Sequence, residues 1–154
     1  MKITLKVAKS LRANKKTLSL AESCSGGLLS HTLTNIPGSS NFLKGSVVAY
    51  SNEIKTTFLK IPKKDIINYG AVSLQVAKKM AKNIRKLFKT DFGVGITGIA
   101  GPGGATKNKQ VGLVFISVDS KKNNLLRKFN FKGSRTKIKE LAAQNALKML
   151  YQLV

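Results

Sequence analysis

The sequence predicts an α/β domain of three layers, α/β/α, built on a mixed, mostly parallel central sheet of about five strands. Three observations predict it. Apolar residues recur at helical spacing in several stretches, and short continuous apolar runs of strand type lie between them. The two kinds alternate along the chain, and one late pair of apolar runs flanks a turn segment.

Taken in order, Ile3, Val7 and Leu11 recur every four residues and predict a first amphipathic helix. Thr17 to Ala21 reads as a short strand that runs into Ser23 and a helical stretch from Leu28 to Leu33, closed by Ile36-Pro37-Gly38. Gly45 to Tyr50 is a second strand, and Ser51 then offers an N-cap for Asn52 to Lys55. Ser73 caps the next helix, whose inner face carries Val76/Ala77, Met80, Ile84 and Leu87/Phe88. Phe92 to Thr97 is a buried-type strand that ends in a glycine-rich loop, Gly98 to Gly104. Val111 to Val118 and Leu125 to Phe131 flank Asp119 to Asn124, a hairpin signal. A long final helix turns Ile138, Leu141/Ala142, Ala146, Met149/Leu150 and Leu153 inward.

The 154 residues are expected to form one domain over 1–154, without internal repeats. No apolar run approaches the ~20 residues that span a bilayer, so no membrane partner is expected. Lysines interrupt the N-terminus too often for a signal-peptide apolar region. The single cysteine, Cys24, leaves no intramolecular disulfide and suits a reducing, cytoplasmic address.

Charge is the outlying property: 28 Lys plus Arg against 6 Asp plus Glu, a formal +22. Such a balance suits nucleic acid, an anionic membrane surface or an acidic small substrate. The lysines are spread as pairs over the whole chain, and only four residues are arginine, the type that reads guanine edges bidentately. The distribution therefore argues against nucleic acid as the main partner and favours small anionic ligands. With a single histidine and a single cysteine, a zinc site of the usual Cys/His type is excluded.

Three polar clusters stand at predicted strand ends, where open α/β sheets bind ligands. In Ala21-Glu22-Ser23-Cys24-Ser25-Gly26-Gly27, Ser23 lies between a strand and a helix N-terminus, where backbone N–H groups and the helix dipole favour an oxyanion. Taken in isolation the same run reads first as a helix cap with packing glycines, and Cys24 competes as a thiolate activated at a helix start. His31 lies two turns into that helix, its Cα roughly 12 Å from Ser23 at 1.5 Å rise per residue, too far for a direct general base.

The second cluster is Tyr50-Ser51-Asn52-Glu53-Ile54-Lys55. A serine nucleophile needs an adjacent base, and a lysine of depressed pKa can serve where histidine cannot. Desolvation and a positive field both depress it, unless Glu22 or Glu53 pairs with Lys55. The alternative for Lys55 is a solvated side chain on a short helix. The third cluster, Gly95 to Gly104, can expose several N–H groups to a phosphate or carboxylate, or can be a plain surface loop. It fits neither the Walker nor the dinucleotide-binding pattern.

These clusters, with Pro37-Gly38-Ser39-Ser40, Gly70-Ala71-Val72-Ser73 and Val111-Gly112, resemble in residues and order the CinA C-terminal family, which includes nicotinamide-nucleotide amidohydrolases. The resemblance covers nearly the whole chain, though not the larger partner domain of two-domain relatives. It implies hydrolysis of the carboxamide of nicotinamide mononucleotide to nicotinate mononucleotide and ammonia, with no cofactor and no metal, by a homo-oligomer. By position, Ser23 becomes the nucleophile, Lys55 the general base and Tyr50 an assisting hydroxyl. Substrate-binding positions become Glu22, Cys24, Ser25, Gly26, Gly27, Thr97, Gly98, Ala100, Gly101 and Arg135, with Gly133 and Arg135 toward the phosphate. The chain departs from the family pattern at Ser25, Gln110, Ser134 and Lys139. Two other readings stay open: a nucleotide-binding module of this fold with little catalysis, and a basic nucleic-acid-associated protein.

Overall fold

The computed structural model describes residues 2–154. Its elements are α1 (Ile3–Ala13), β1 (Leu18–Glu22), α2 (Leu28–Thr34), a 3-10 turn (Ser39–Asn41), β2 (Leu43–Val48), α3 (Asn52–Thr57), α4 (Lys63–Tyr69), α5 (Leu74–Phe88), β3 (Phe92–Gly98), β4 (Leu113–Ser120), β5 (Asn124–Asn130) and α6 (Arg135–Tyr151). The expected three-layer α/β/α domain forms. Its five strands stand in the order β2-β1-β3-β4-β5. The sheet is mixed but evenly so, because β1 pairs in parallel with β2 and β3, while β3–β4 and β4–β5 are antiparallel. Mostly parallel pairing fails at β4, since the chain returns from β3 through the glycine-rich loop without a crossover helix.

Both faces of the sheet are covered. Leu18, Leu20, Val94, Ile96, Val114, Ile116 and Val118 pack against α1, α2 and α6 through Val7, Leu11, Leu29, Leu33, Ala142, Ala146 and Leu150. On the other face Ala21 meets Val76, Met80 and Ile84 of α5. This face is tight where α5 crosses β3: a Cβ at Gly95 would lie 2.5 Å from the carbonyl oxygen of Ala77, and one at Gly93 2.1 Å from that of Ala81. Only glycine allows that approach. Leu87, expected on the inner face of α5, is exposed, while Phe88 packs over Gly45.

Three boundaries differ from expectation, each for a tertiary reason. β2 lies two residues earlier than Gly45–Tyr50, because the chain leaves the ladder after Val48. Ala49 N–H still donates to Glu22 O at 2.8 Å, and the backbone then turns into α3. The hairpin turn is shorter than Asp119–Asn124, since these two residues pair with each other in the ladder. The buried Asp119 is held there by Arg85 and by Asn124. Helix α4 was not expected; seven residues after Pro62 carry too short an apolar pattern, and its buried Asp65 pairs with Lys79 of α5.

Candidate active site

In the sheet β1 and β3 are neighbours, and the connection from β1 runs to β2 on one side while that from β3 runs to β4 on the other, so the chain leaves their adjacent C-terminal ends in opposite directions. This is a topological switch point, where α/β sheets bind ligands. A cavity of about 280 Å³ opens there. Ser23 follows β1, Ala49 and Tyr50 follow β2, Thr97 and Gly98 end β3, and Arg135 opens α6 after β5.

Ser23 is anchored by its N–H, which donates to Ile96 O at 2.9 Å across the β1–β3 ladder. A tight turn follows, closed by Gly26 N–H donating to Ser23 O at 3.0 Å. Gly26 (φ +60°) and Gly27 (φ +93°) supply the left-handed backbone that swings the chain into α2. Among the described residues no backbone acceptor takes the N–H of Cys24 or Ser25.

Lys55 reaches this turn from α3. Ser51 caps that helix, its hydroxyl accepting from Ile54 N–H at 3.1 Å, and the orientation so set turns Lys55 inward. Only 2% of Lys55 is exposed. Its Nζ donates to Ser23 Oγ at 3.0 Å, to Ala49 O at 2.8 Å and to Tyr50 O at 3.2 Å. The early end of β2 frees the last two carbonyls for this purpose. No carboxylate pairs with Lys55 among the described residues. Burial therefore lowers its pKa from 10.5 to about 8.

Cys24 lines the cavity but is 7% exposed, and burial pushes its thiol up to about 12. Its sulfur is protonated at neutral pH, which removes the thiolate alternative. His31 is exposed and faces Asn35. Tyr50 lies at the cavity rim. Its hydroxyl accepts from Arg135 Nη2 at 2.9 Å, so it touches the pair through its backbone carbonyl, not its hydroxyl. Arg135 Nη1 donates to Gly101 O at 2.7 Å, which ties α6 to the glycine-rich loop. Thr97 is buried and donates to Ala71 O at 2.8 Å, joining the end of β3 to the segment before α5.

Of the expected binding positions, Cys24, Thr97, Gly98, Ala100, Gly101 and Arg135 line the cavity, as do Ser23, Lys55 and Tyr50. Glu22, Ser25, Gly26 and Gly27 do not. Glu22 and Ser25 are fully buried and bonded to each other, and Gly133 also lies outside the lining. Ile99, Gly103 and Gly104 line the cavity with the rest of the glycine-rich loop, as the resemblance implies for that loop, while Asn52, Ala71 and Val72 are lining residues to which no binding role was assigned. Each lies in or beside a run visible in the sequence, but nothing local tells which member of a run faces a ligand. Lys139, one turn after Arg135, brings its ammonium to Gly26, 3.4 Å from where a Cβ would stand. No group of three His, Cys, Asp or Glu side chains able to hold a metal lies among the described residues. No helix described is long and apolar enough to cross a membrane.

Fold and site together define a class: a three-layer α/β domain with a buried serine–lysine pair at its switch point. The chain belongs to the CinA C-terminal domain family, whose model matches residues 1–154. It is 48% identical over 134 residues to a CinA-like protein of Acidobacterium capsulatum, covering 87% of this chain and 32% of that protein. To a CinA-like protein of Thermotoga neapolitana it is 44% identical over 144 residues, 94% of this chain and 35% of the relative. The chain thus spans about a third of the length of the curated relatives it matches. Among solved structures, the competence/damage inducible protein CihA of Agrobacterium tumefaciens superposes with a TM-score of 0.96 at 34% identity, covering 98% of this chain and 93% of that one. A CinA superfamily protein of Escherichia coli gives 0.94 at 29% identity, with 99% and 88% covered.

Proposed function

We propose that this domain is a serine–lysine amidohydrolase that hydrolyses the carboxamide of nicotinamide mononucleotide to nicotinate mononucleotide and ammonia. The observation that carries the reading is Lys55 Nζ, buried without a counter-ion, 3.0 Å from Ser23 Oγ. With a pKa of about 8, roughly one lysine in ten is neutral at pH 7 and able to take a proton. Ser23 Oγ attacks the carboxamide carbon and passes its proton to Lys55. The N–H groups of Cys24 and Ser25 stand as donors for the tetrahedral oxyanion. The N–H of Gly26 is engaged by Ser23 O and is not available for that role. Lys55 then protonates the departing ammonia, and water resolves the acyl-enzyme to nicotinate mononucleotide with Lys55 again as base.

Arg135 on the cavity wall and Lys139 beside Gly26 favour an anionic substrate such as a nucleotide, as does the net charge of +22. In this reading the protein works as a cytoplasmic homo-oligomer whose partner is that small molecule. Purified protein should release ammonia from nicotinamide mononucleotide without added metal, and Ser23→Ala should stop it. Saturable nucleotide binding without ammonia release would instead leave a non-catalytic binding module.

A further inference from the structure

Glu22 is the last residue of β1, and its side chain is fully buried. It points to the same face as Leu18 and Leu20, toward α2. Oε2 accepts from Ser25 Oγ at 2.7 Å and from Leu29 N–H at 3.0 Å, while Oε1 accepts from Ser30 N–H at 2.8 Å. Both oxygens are therefore occupied, and the charge is balanced by the amides at the start of α2. The residues between these anchor points, Ser23 to Gly27, carry the nucleophile and the two N–H groups that no backbone acceptor takes. A buried carboxylate one residue from Ser23 would be the natural counter-ion for Lys55. It has been turned to the opposite side, and Lys55 bonds only to a hydroxyl and two carbonyls.

We propose that Glu22 is a positioning residue: its carboxylate pins the Ser23–Gly27 turn to the start of α2, which sets Ser23 Oγ against Lys55 and leaves the lysine without an acidic partner. This replaces the expectation that Glu22 contacts substrate, and it rests on the amidohydrolase reading. Glu22→Gln keeps the shape but not the acceptors. Its amide offers one oxygen, and its NH2 would face a backbone donor or the Ser25 hydroxyl.

The test uses a readout that needs the serine–lysine pair but no particular substrate. An alkyl fluorophosphonate labels an activated serine: an Oγ–P bond forms, the P–F bond breaks, fluoride leaves and the serine proton passes to Lys55. Labelling is followed by intact mass, at a temperature where circular dichroism shows each variant folded. The wild type should label at Ser23, faster as pH rises through about 8, and Ser23→Ala should not. Glu22→Gln should label on the order of 10-fold or more slowly with the pH limb in place, since misplacement of a reacting group by about 1 Å can cost as much as 100-fold. Ser25→Ala removes one of the three bonds and keeps the charge. It should label a few-fold more slowly, and it serves if Glu22→Gln does not fold.

Unchanged labelling in the folded variants, even with a lowered Tm, would make Glu22 a stabiliser of α2 alone and overturn the positioning role. A pH limb displaced in Glu22→Gln would show the carboxylate acting on Lys55 by charge, which also overturns it. A wild type that never labels at Ser23 would defeat the amidohydrolase reading itself, and this inference with it.

Discussion

Two ends of the same sheet bury a cation, and they treat it in opposite ways. At the start of β3, Arg85 Nε meets Asp119 Oδ2 at 2.6 Å, with the two side chains 12% and 10% exposed. Asn124 Nδ2 donates to the other carboxylate oxygen at 3.2 Å. At the C-terminal edge, Lys55 is more deeply buried and has no carboxylate partner among the described residues. A paired guanidinium stays charged and holds structure together. An unpaired ammonium in a desolvated place is pushed toward its neutral form, and that form is the one able to accept a proton. The first end is built for stability, whereas the second gives up stability for a titration near neutral pH.

The most severe way to break this contrast is to remove the second cation's chemistry. Lys55→Met should lower kcat/KM for amide hydrolysis by about 10²–10⁴-fold, the usual contribution of a positioned base. Lys55→Arg should not rescue it, because a guanidinium does not deprotonate. Steady-state ammonia release checks both. In the wild type the rate should rise with pH and level off above about 8, following the neutral fraction of Lys55.

At the other end the expected loss is of stability. Asp119→Ala leaves Arg85 buried without its partner and should lower the unfolding free energy by about 3 kcal/mol in urea titration. The pH limb of activity should stay where it is. If the limb moved, the two ends would not be independent.

The folded-state pKa of Lys55 is depressed from 10.5 to about 8, so between those values the unfolded chain binds more protons than the folded one. Stability should therefore rise with pH across that window, and below pH 8 the charged lysine should weigh against folding by an amount on the order of 3 kcal/mol at most. Lys55→Met should abolish that rise and be more stable than wild type at pH 7, the reverse of Asp119→Ala. Urea titrations at pH 7 and pH 10 would show it. A variant that is less stable at pH 7 would mean that the bonds to Ser23, Ala49 and Tyr50 outweigh desolvation.

The smallest effect belongs to Cys24. Its thiol is neutral and packed at the cavity wall, so Cys24→Ala should change ammonia release by no more than ~3-fold. A loss as deep as that of Ser23→Ala would transfer the nucleophile to sulfur.

The legible part of the molecule is the part written in local pattern. The four-residue recurrence of Ile3, Val7 and Leu11 gives α1, and the spacing from Val76 to Ile84 gives the inner face of α5. Glycine-rich runs after predicted strands marked two walls of the cavity, and Ser51 announced the helix that carries Lys55. What escaped was set by distant neighbours. β2 ends early, which leaves the carbonyls of Ala49 and Tyr50 to Lys55, and β4 runs through Asp119, which Arg85 of α5 holds. Helix α4 depends on a buried aspartate meeting a lysine of α5.

The sequence by itself determined the layered α/β class, the polar clusters and the residue types able to do the chemistry, because periodicity, capping and backbone freedom act over a few residues. Only the tertiary structure decided that Lys55 is buried against Ser23 without an acid and that Glu22 faces α2 instead of the cavity. It also decided that Tyr50 gives its hydroxyl to Arg135. Burial and charge pairing depend on which segments the fold brings together, and a lysine reads the same in sequence whether it meets water, a carboxylate or a serine.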